Sequence, residues 1–156
     1  MQFDHEKLNV YRASIEFVAW VTDLLDELSG DHRNARQQLI RSSQSIPLNI
    51  AEGNGKRAAA DRRRFFEIAR GSSMESAATL DVLVCSRACS KERVDAGKTL
   101  LMRIVSMLSK MTETMPAGAR ENGAEYSERG SSDYEHDYEQ EQEHEHEQEG
   151  GGASLQ

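Results

Sequence analysis

The chain has 156 residues, a length typical of one domain, with 29% charged residues and a formal net charge of −8. No apolar run of 18 residues is present, which excludes a membrane-spanning helix, and the first residues lack the basic and apolar pattern of a signal peptide. Cys85 and Cys89 stand four residues apart, where a disulfide within one helix is unfavourable. We therefore expect a cytoplasmic protein with reduced thiols, with half of a metal site as the alternative for the two cysteines.

The charge is distributed unevenly along the chain. Residues 1–115 contain 17 basic and 15 acidic side chains, whereas residues 116–156 contain 2 and 12. The second segment has almost no apolar surface to bury and cannot offset the entropy of ordering, so it is predicted to be a disordered acidic tail. It is expected to be solvated rather than to bind a metal through His136, His144 and His146, and it could compete with nucleic acid for a basic body.

The first predicted helix, over residues 4–29, has a wider apolar surface than one seam of a bundle needs. Apolar residues at steps of three, four and seven form the predicted seam: Leu8, Tyr11, Ile15, Val18, Leu25 and Leu28. Phe17, Trp20 and Leu24 fall on an adjoining face. We therefore predict that these three side chains form an interface between copies of the chain.

Three further helices are predicted over residues 34–53, 59–90 and 91–115. Gly53 and Gly55 end the first of these, and Pro116 and Gly118 end the last. No segment alternates with a period of two over enough residues to indicate a sheet. The predicted fold class is all-α: an antiparallel up-down four-helix bundle over residues 1–115, followed by the disordered acidic tail of residues 116–156.

Polar residues interrupt the apolar pattern of the second helix. Pro47 removes a helical hydrogen bond, and Asn49 and Glu52 lie on neighbouring positions of one face. Glu75 on the third helix could face them. We predict a structural polar network of Asn49, Glu52 and Glu75 around a proline kink, in preference to a catalytic carboxylate pair.

A basic segment joins the second and third helices. It consists of Lys56, Arg57, Arg62, Arg63, Arg64 and Arg70, against two acidic residues. The planar guanidinium group suits phosphate, so the segment is predicted to bind nucleic acid, with an acidic protein partner or mere solvation as alternatives. Phe65 and Phe66 adjoin the arginines, but their spacing assigns at least one to the core. The expected contact is therefore electrostatic, with the nucleic-acid backbone rather than with bases.

Two stretches resemble a known bacterial family. Residues 45–53, Ser-Ile-Pro-Leu-Asn-Ile-Ala-Glu-Gly, are similar to the signature of the four helix bundle protein family. This family includes proteins encoded in intervening sequences of large-subunit ribosomal RNA genes and the accessory variability determinant of diversity-generating retroelements. Residues 64–72, with Glu75 and Leu80, resemble its third helix. The similarity extends over about residues 5–112 and implies a four-helix bundle.

The resemblance also implies partners. Relatives form ring-like pentamers with a basic surface, which in the retroelement proteins engages a reverse transcriptase and its RNA. We therefore expect a non-enzymatic oligomeric adaptor that binds RNA, with a structural oligomer that binds only protein as the alternative. No nucleophile–base pair or metal-ligand pattern stands out, so no catalytic residue, metal or cofactor is expected. The long acidic tail departs from the family pattern.

Overall fold

Four antiparallel helices form the body of the protein. The computed structural model describes residues 1–28 and 32–115. A short 3-10 helix, Asp4–Lys7, precedes α1 (Asn9–Glu27), α2 (Arg33–Gly55), α3 (Ala59–Cys85) and α4 (Lys91–Glu113), and there is no strand in these ranges. The predicted all-α four-helix bundle is therefore confirmed. The predicted disordered tail lies outside the described residues.

Contacts between helix ends establish the up-down order. The guanidinium group of Arg93, early in α4, donates two hydrogen bonds of 2.5 and 2.9 Å to the carboxylate of Glu27 at the end of α1. At the other end of the bundle, Arg63 Nη1 in the first turns of α3 donates to the carbonyl oxygen of Met115, 3.1 Å away, just after α4. Each helix thus runs opposite to its neighbours.

The third helix ends five residues earlier than the sequence pattern predicts. It stops at Cys85, and Arg87 has a positive φ of 60° in the turn that follows. Ser90 then begins α4 as its N-cap, because its Oγ accepts a hydrogen bond of 3.2 Å from the Arg93 amide. Cys85 and Cys89 therefore do not share one helix face, contrary to the prediction.

The buried face of α1 is the one that the sequence analysis assigned to an oligomer interface. Phe17 and Leu24 are 0% exposed and belong to the core of the single chain, whereas Ile15 of the predicted seam is 44% exposed. The prediction that Phe17 and Leu24 lie outside the core is wrong. The two apolar faces adjoin on a helix with about 3.6 residues per turn, so periodicity alone could not decide which one is buried.

Trp20, the third residue of that predicted interface, packs within the chain. Its ring lies 5.9 Å from the ring of Phe17, and the Arg93 guanidinium lies 5.3 Å above it. A Cβ atom on Gly97 of α4 would overlap the indole ring. Glycine is therefore required at position 97, because it allows α4 to approach the Trp20 side chain.

This close approach predicts that Gly97→Ala destabilises the bundle. The added methyl group must displace the indole ring, and such overpacking costs about 1–3 kcal/mol. Gly55→Ala is the matched control, because a Cβ there meets nothing within 4 Å. Urea denaturation midpoints of both variants test the prediction, and equal midpoints would contradict it.

Candidate nucleic-acid interface

The basic segment occupies the turn from α2 to α3 and the first three turns of α3. Lys56 is the C-cap of α2, and its amide donates a 3.1 Å hydrogen bond to the carbonyl oxygen of Gly53. Ala59 begins α3 only three residues later. The positive end of the α3 dipole therefore adds to the arginine charges and favours an anion at this end of the bundle.

Two of the six predicted binding residues hold the bundle together. Arg62 Nη2 donates to the carbonyl oxygens of Lys56 and Asn54, at 3.0 and 3.4 Å, and so satisfies the end of α2. Arg63 Nε donates to Glu67 at 2.9 Å, while its Nη1 bonds Met115. Both side chains are half-buried and bonded within the chain, although the buried Arg62 Nε has no hydrogen-bond partner among the described residues. We assign Arg62 and Arg63 a structural role in place of the predicted direct binding.

Lys56 is also engaged within the chain. Its Nζ lies 3.0 Å from a carboxylate oxygen of Glu52 and 4.7 Å from the centre of the Phe65 ring. Arg57, Arg64 and Arg70 have exposed side chains. The three consecutive arginines of α3 thus point in different directions, as expected from about 100° of rotation per residue.

The aromatic residues beside the arginines offer no open stacking surface. Phe66 is 1% exposed and belongs to the core, and its ring atoms lie 2.9 Å from the position of a Cβ on Gly53. The neighbouring Phe65 is half-buried beneath Lys56. The exposed arginines therefore suit contacts with phosphate groups, without base stacking at this position.

The polar network predicted from Asn49, Glu52 and Glu75 does not form. Glu52 and Glu75 are exposed; Glu52 pairs with Lys56, and Glu75 accepts a hydrogen bond from Gln38. Only Asn49 behaves as expected, because its Nδ2 donates to the carbonyl oxygen of Ser45 at 2.8 Å and to its Oγ at 3.0 Å. The position of Glu52 on α2 turns its side chain toward solvent rather than toward α3.

Serine hydroxyl groups form the polar contact between α2 and α3 instead. Ser76 Oγ donates to Ser42 Oγ at 2.8 Å, and the hydroxyl groups of Ser45 and Ser72 lie 2.9 Å apart. We call these four residues the serine seam. The sequence did show a run of small residues on the third helix, but it gave no sign of which hydroxyl groups would pair.

Groups suited to catalysis are sparse in the described residues. No cluster of three or more histidine, cysteine, aspartate or glutamate side chains could hold a metal ion within residues 1–28 and 32–115. Burial raises the pKa of the Cys89 thiol, which disfavours the nucleophilic thiolate. The helices described are also not long and apolar enough to cross a membrane.

The sequence matches a family model over the four-helix region. The family model described as "23S rRNA-intervening sequence protein" matches residues 6–110. The chain belongs to this family. The match covers α1, α2, α3 and all but the last turn of α4, and it includes the serine seam as well as the basic segment.

A solved structure has the same fold. It is the crystal structure of a protein of unknown function from the S23 ribosomal protein family of Bacteroides thetaiotaomicron VPI-5482. The two chains are 23% identical with a TM-score of 0.62, and the similarity covers 67% of this chain and 99% of the other. A search of curated proteins gives no significant match.

The corrected polar network predicts a contrast between two variants. Glu52→Ala removes only an exposed ion pair and should change the free energy of unfolding by less than about 0.5 kcal/mol. Ser76→Ala removes a buried hydroxyl–hydroxyl bond between helices and should cost about 1 kcal/mol. Denaturant unfolding measures both, and a larger loss for Glu52→Ala than for Ser76→Ala would contradict the assignment.

Proposed function

We propose that the protein is a non-enzymatic, homo-oligomeric adaptor of the cytoplasm that binds RNA through Arg57, Arg64 and Arg70. The observation that supports this most is the division of the basic segment. Arg62 and Arg63 are half-buried beside the turn, whereas the side chains of Arg57, Arg64 and Arg70 are exposed to solvent. The family name, which refers to 23S rRNA, favours RNA over another polyanion.

Phosphate groups are the part of RNA that this surface suits. A guanidinium group can donate two parallel hydrogen bonds to one phosphate, and each neutralised phosphate releases counterions. Binding should therefore weaken as salt rises and depend little on sequence. The reverse transcriptase implied by the retroelement resemblance is the protein partner that we propose for the adaptor role.

The RNA proposal predicts the behaviour of a triple variant, Arg57→Gln with Arg64→Gln and Arg70→Gln. Its affinity for RNA should fall for all sequences. Each lost phosphate contact should also flatten the slope of log affinity against log salt by about 0.7–0.9. Fluorescence anisotropy titrations from low to moderate salt measure both quantities.

A control variant at the opposite end of the bundle removes the same charge. It combines Arg33→Gln, Lys91→Gln and Arg87→Asn, since asparagine tolerates the positive φ at position 87. The control should keep the wild-type salt slope. If both triple variants lose affinity equally, binding reflects net charge alone and the proposed surface is wrong. If the wild-type protein binds no RNA at low salt, the arginines serve a protein partner.

Helix α3 also has an apolar surface facing away from the core. Exposed small and apolar residues recur at steps of three and four: Ile68, Gly71, Met74, Ala78 and Val82. The exposed fractions of Ile68, Met74 and Val82 are 40%, 58% and 55%. A Cβ on Gly71 would meet nothing within 4 Å, so the chain's own fold does not explain a glycine in mid-helix, which costs about 1 kcal/mol. A groove of about 710 Å³ beside Met74, between α3 and α4, continues this surface.

We propose a second copy as the occupant of this surface. Within the described residues α1 and α3 do not contact each other, so they lie diagonally across the bundle and their outer faces point in opposite directions. The outer face of α1 has exposed Ile15 and Ala19, which are apolar like the exposed residues of α3. A head-to-tail contact closes into a ring when the rotation between successive copies adds up to a full turn, and we propose such closure here, as in the pentamer that the resemblance implies.

The oligomer proposal predicts that Ala78→Glu and Ile15→Glu each dissociate the assembly, while helical circular dichroism stays unchanged. A charged side chain in an apolar contact between copies is costly, and each residue is exposed in the single chain. Ala96→Glu on the exposed side of α4 is the control and should stay assembled. Trp20→Glu should instead lower stability, because Trp20 packs within the chain. Light scattering that shows a wild-type monomer at micromolar concentration would overturn the proposal.

A further inference from the structure

Three aromatic rings form a ladder at the beginning of the chain. The Phe3 ring stacks on the His5 ring, with centroids 5.7 Å apart and planes 14° apart. The His5 ring meets the Tyr11 ring edge-on at 4.7 Å. Tyr11 packs against the core, whereas Phe3 is 74% exposed. The Phe3 ring therefore presents an open aromatic face at the end of an ordered stack.

Hydrogen bonds hold the ladder in place. The Phe3 amide donates to Glu6 Oε2 at 2.7 Å, and Arg12 Nε donates to the carbonyl oxygen of Glu6 at 2.9 Å. The Leu8 amide donates to the carbonyl oxygen of His5 at 3.0 Å. The backbone on both sides of His5 is therefore fixed, and Phe3 is presented by a preorganised turn.

The ladder lies at the same end of the bundle as the basic segment. The short 3-10 helix that contains His5 packs against both α1 and α2. Because α1 and α2 are antiparallel, the beginning of α1 adjoins the end of α2, where Lys56 and Arg57 follow. An RNA strand held at Arg57 therefore lies at the same end of the bundle as the aromatic surface of Phe3.

We propose that the outer face of Phe3 stacks against an unpaired nucleobase of the bound RNA, with His5 as a positioning residue behind it. The inference rests on the proposed RNA-binding function and names its substrate class: RNA with single-stranded nucleotides. Bases inside a duplex are already stacked on each other and offer no free face, whereas unpaired bases commonly stack on exposed aromatic side chains. Phe66 is buried and Phe65 is half-buried beneath Lys56, so Phe3 is the most exposed aromatic side chain at this end of the described chain.

The test compares two RNAs of equal charge with variants of Phe3 in the full chain. The probes are a 20-nucleotide oligouridylate and a blunt RNA duplex with the same number of phosphates. Phe3→Ala should weaken binding of the single strand by about 5- to 100-fold, as for one stacked base, with the duplex affinity and both salt slopes unchanged. Phe3→Leu, which keeps apolar bulk without an aromatic face, should lose as much, and Phe3→Tyr should restore binding. His5→Ala should lower single-strand affinity by a smaller factor.

A spectroscopic readout separates stacking from simple contact. Phe3→Trp, in a background in which Trp20 is replaced by Phe, should show quenched tryptophan fluorescence when oligouridylate binds and none with the duplex. Equal affinities of wild type and Phe3→Ala for the single strand, with RNA binding retained, would overturn the stacking inference alone. If the wild-type protein binds neither RNA, the proposed function itself fails.

Discussion

The contact between α2 and α3 is the constraint on which the rest of the bundle depends, because it is the most extensive helix pair. Hydroxyl groups from both helices meet at 2.8–2.9 Å, so small side chains permit close approach and satisfy one another's polar atoms. At the end of this pair, Gly53 leaves room for the Phe66 ring. This packing fixes the short turn between α2 and α3 that carries basic residues. It also requires small side chains on the face of α3 that meets α2. The large apolar side chains Ile68, Met74 and Val82 of α3 lie on its solvent-exposed face.

The sequence predicted the fold well, because all four helices are long and the apolar periodicity of α1 and α4 is strong. It failed where two faces of one helix were equally apolar: Phe17 and Leu24 are core residues, and Ile15 is exposed. Periodicity defines the angle between residues, but the partner helices decide which side is covered. The early end of α3 depended on a single residue, Arg87, whose positive φ is unusual for arginine.

The candidate site was predicted in composition but not in detail. Five of the six basic residues lie in or near the turn between α2 and α3, and Arg70 lies farther along α3, yet backbone carbonyl groups bind Arg62 and Arg63. A sequence shows the charges, whereas the free carbonyl groups that compete for them appear only when helix ends meet. The sequence also did not indicate that the rings of Phe3 and His5 stack, because their proximity depends on a turn that Glu6 stabilises.

The contact between the Trp20 ring and Gly97 bears on the order in which the helices pair during folding. The pairs α1–α2, α2–α3 and α3–α4 join neighbours in sequence, whereas the α1–α4 pair joins the first and last of the described helices. Contacts of such long range form at the greatest entropic cost and tend to come late in folding. Trp20 packs against Gly97 in this last pairing. A destabilising substitution at this contact should therefore mainly accelerate unfolding and leave the refolding rate almost unchanged. The contact between Trp20 and Gly97 thus affects the lifetime of the folded state more than the rate of folding.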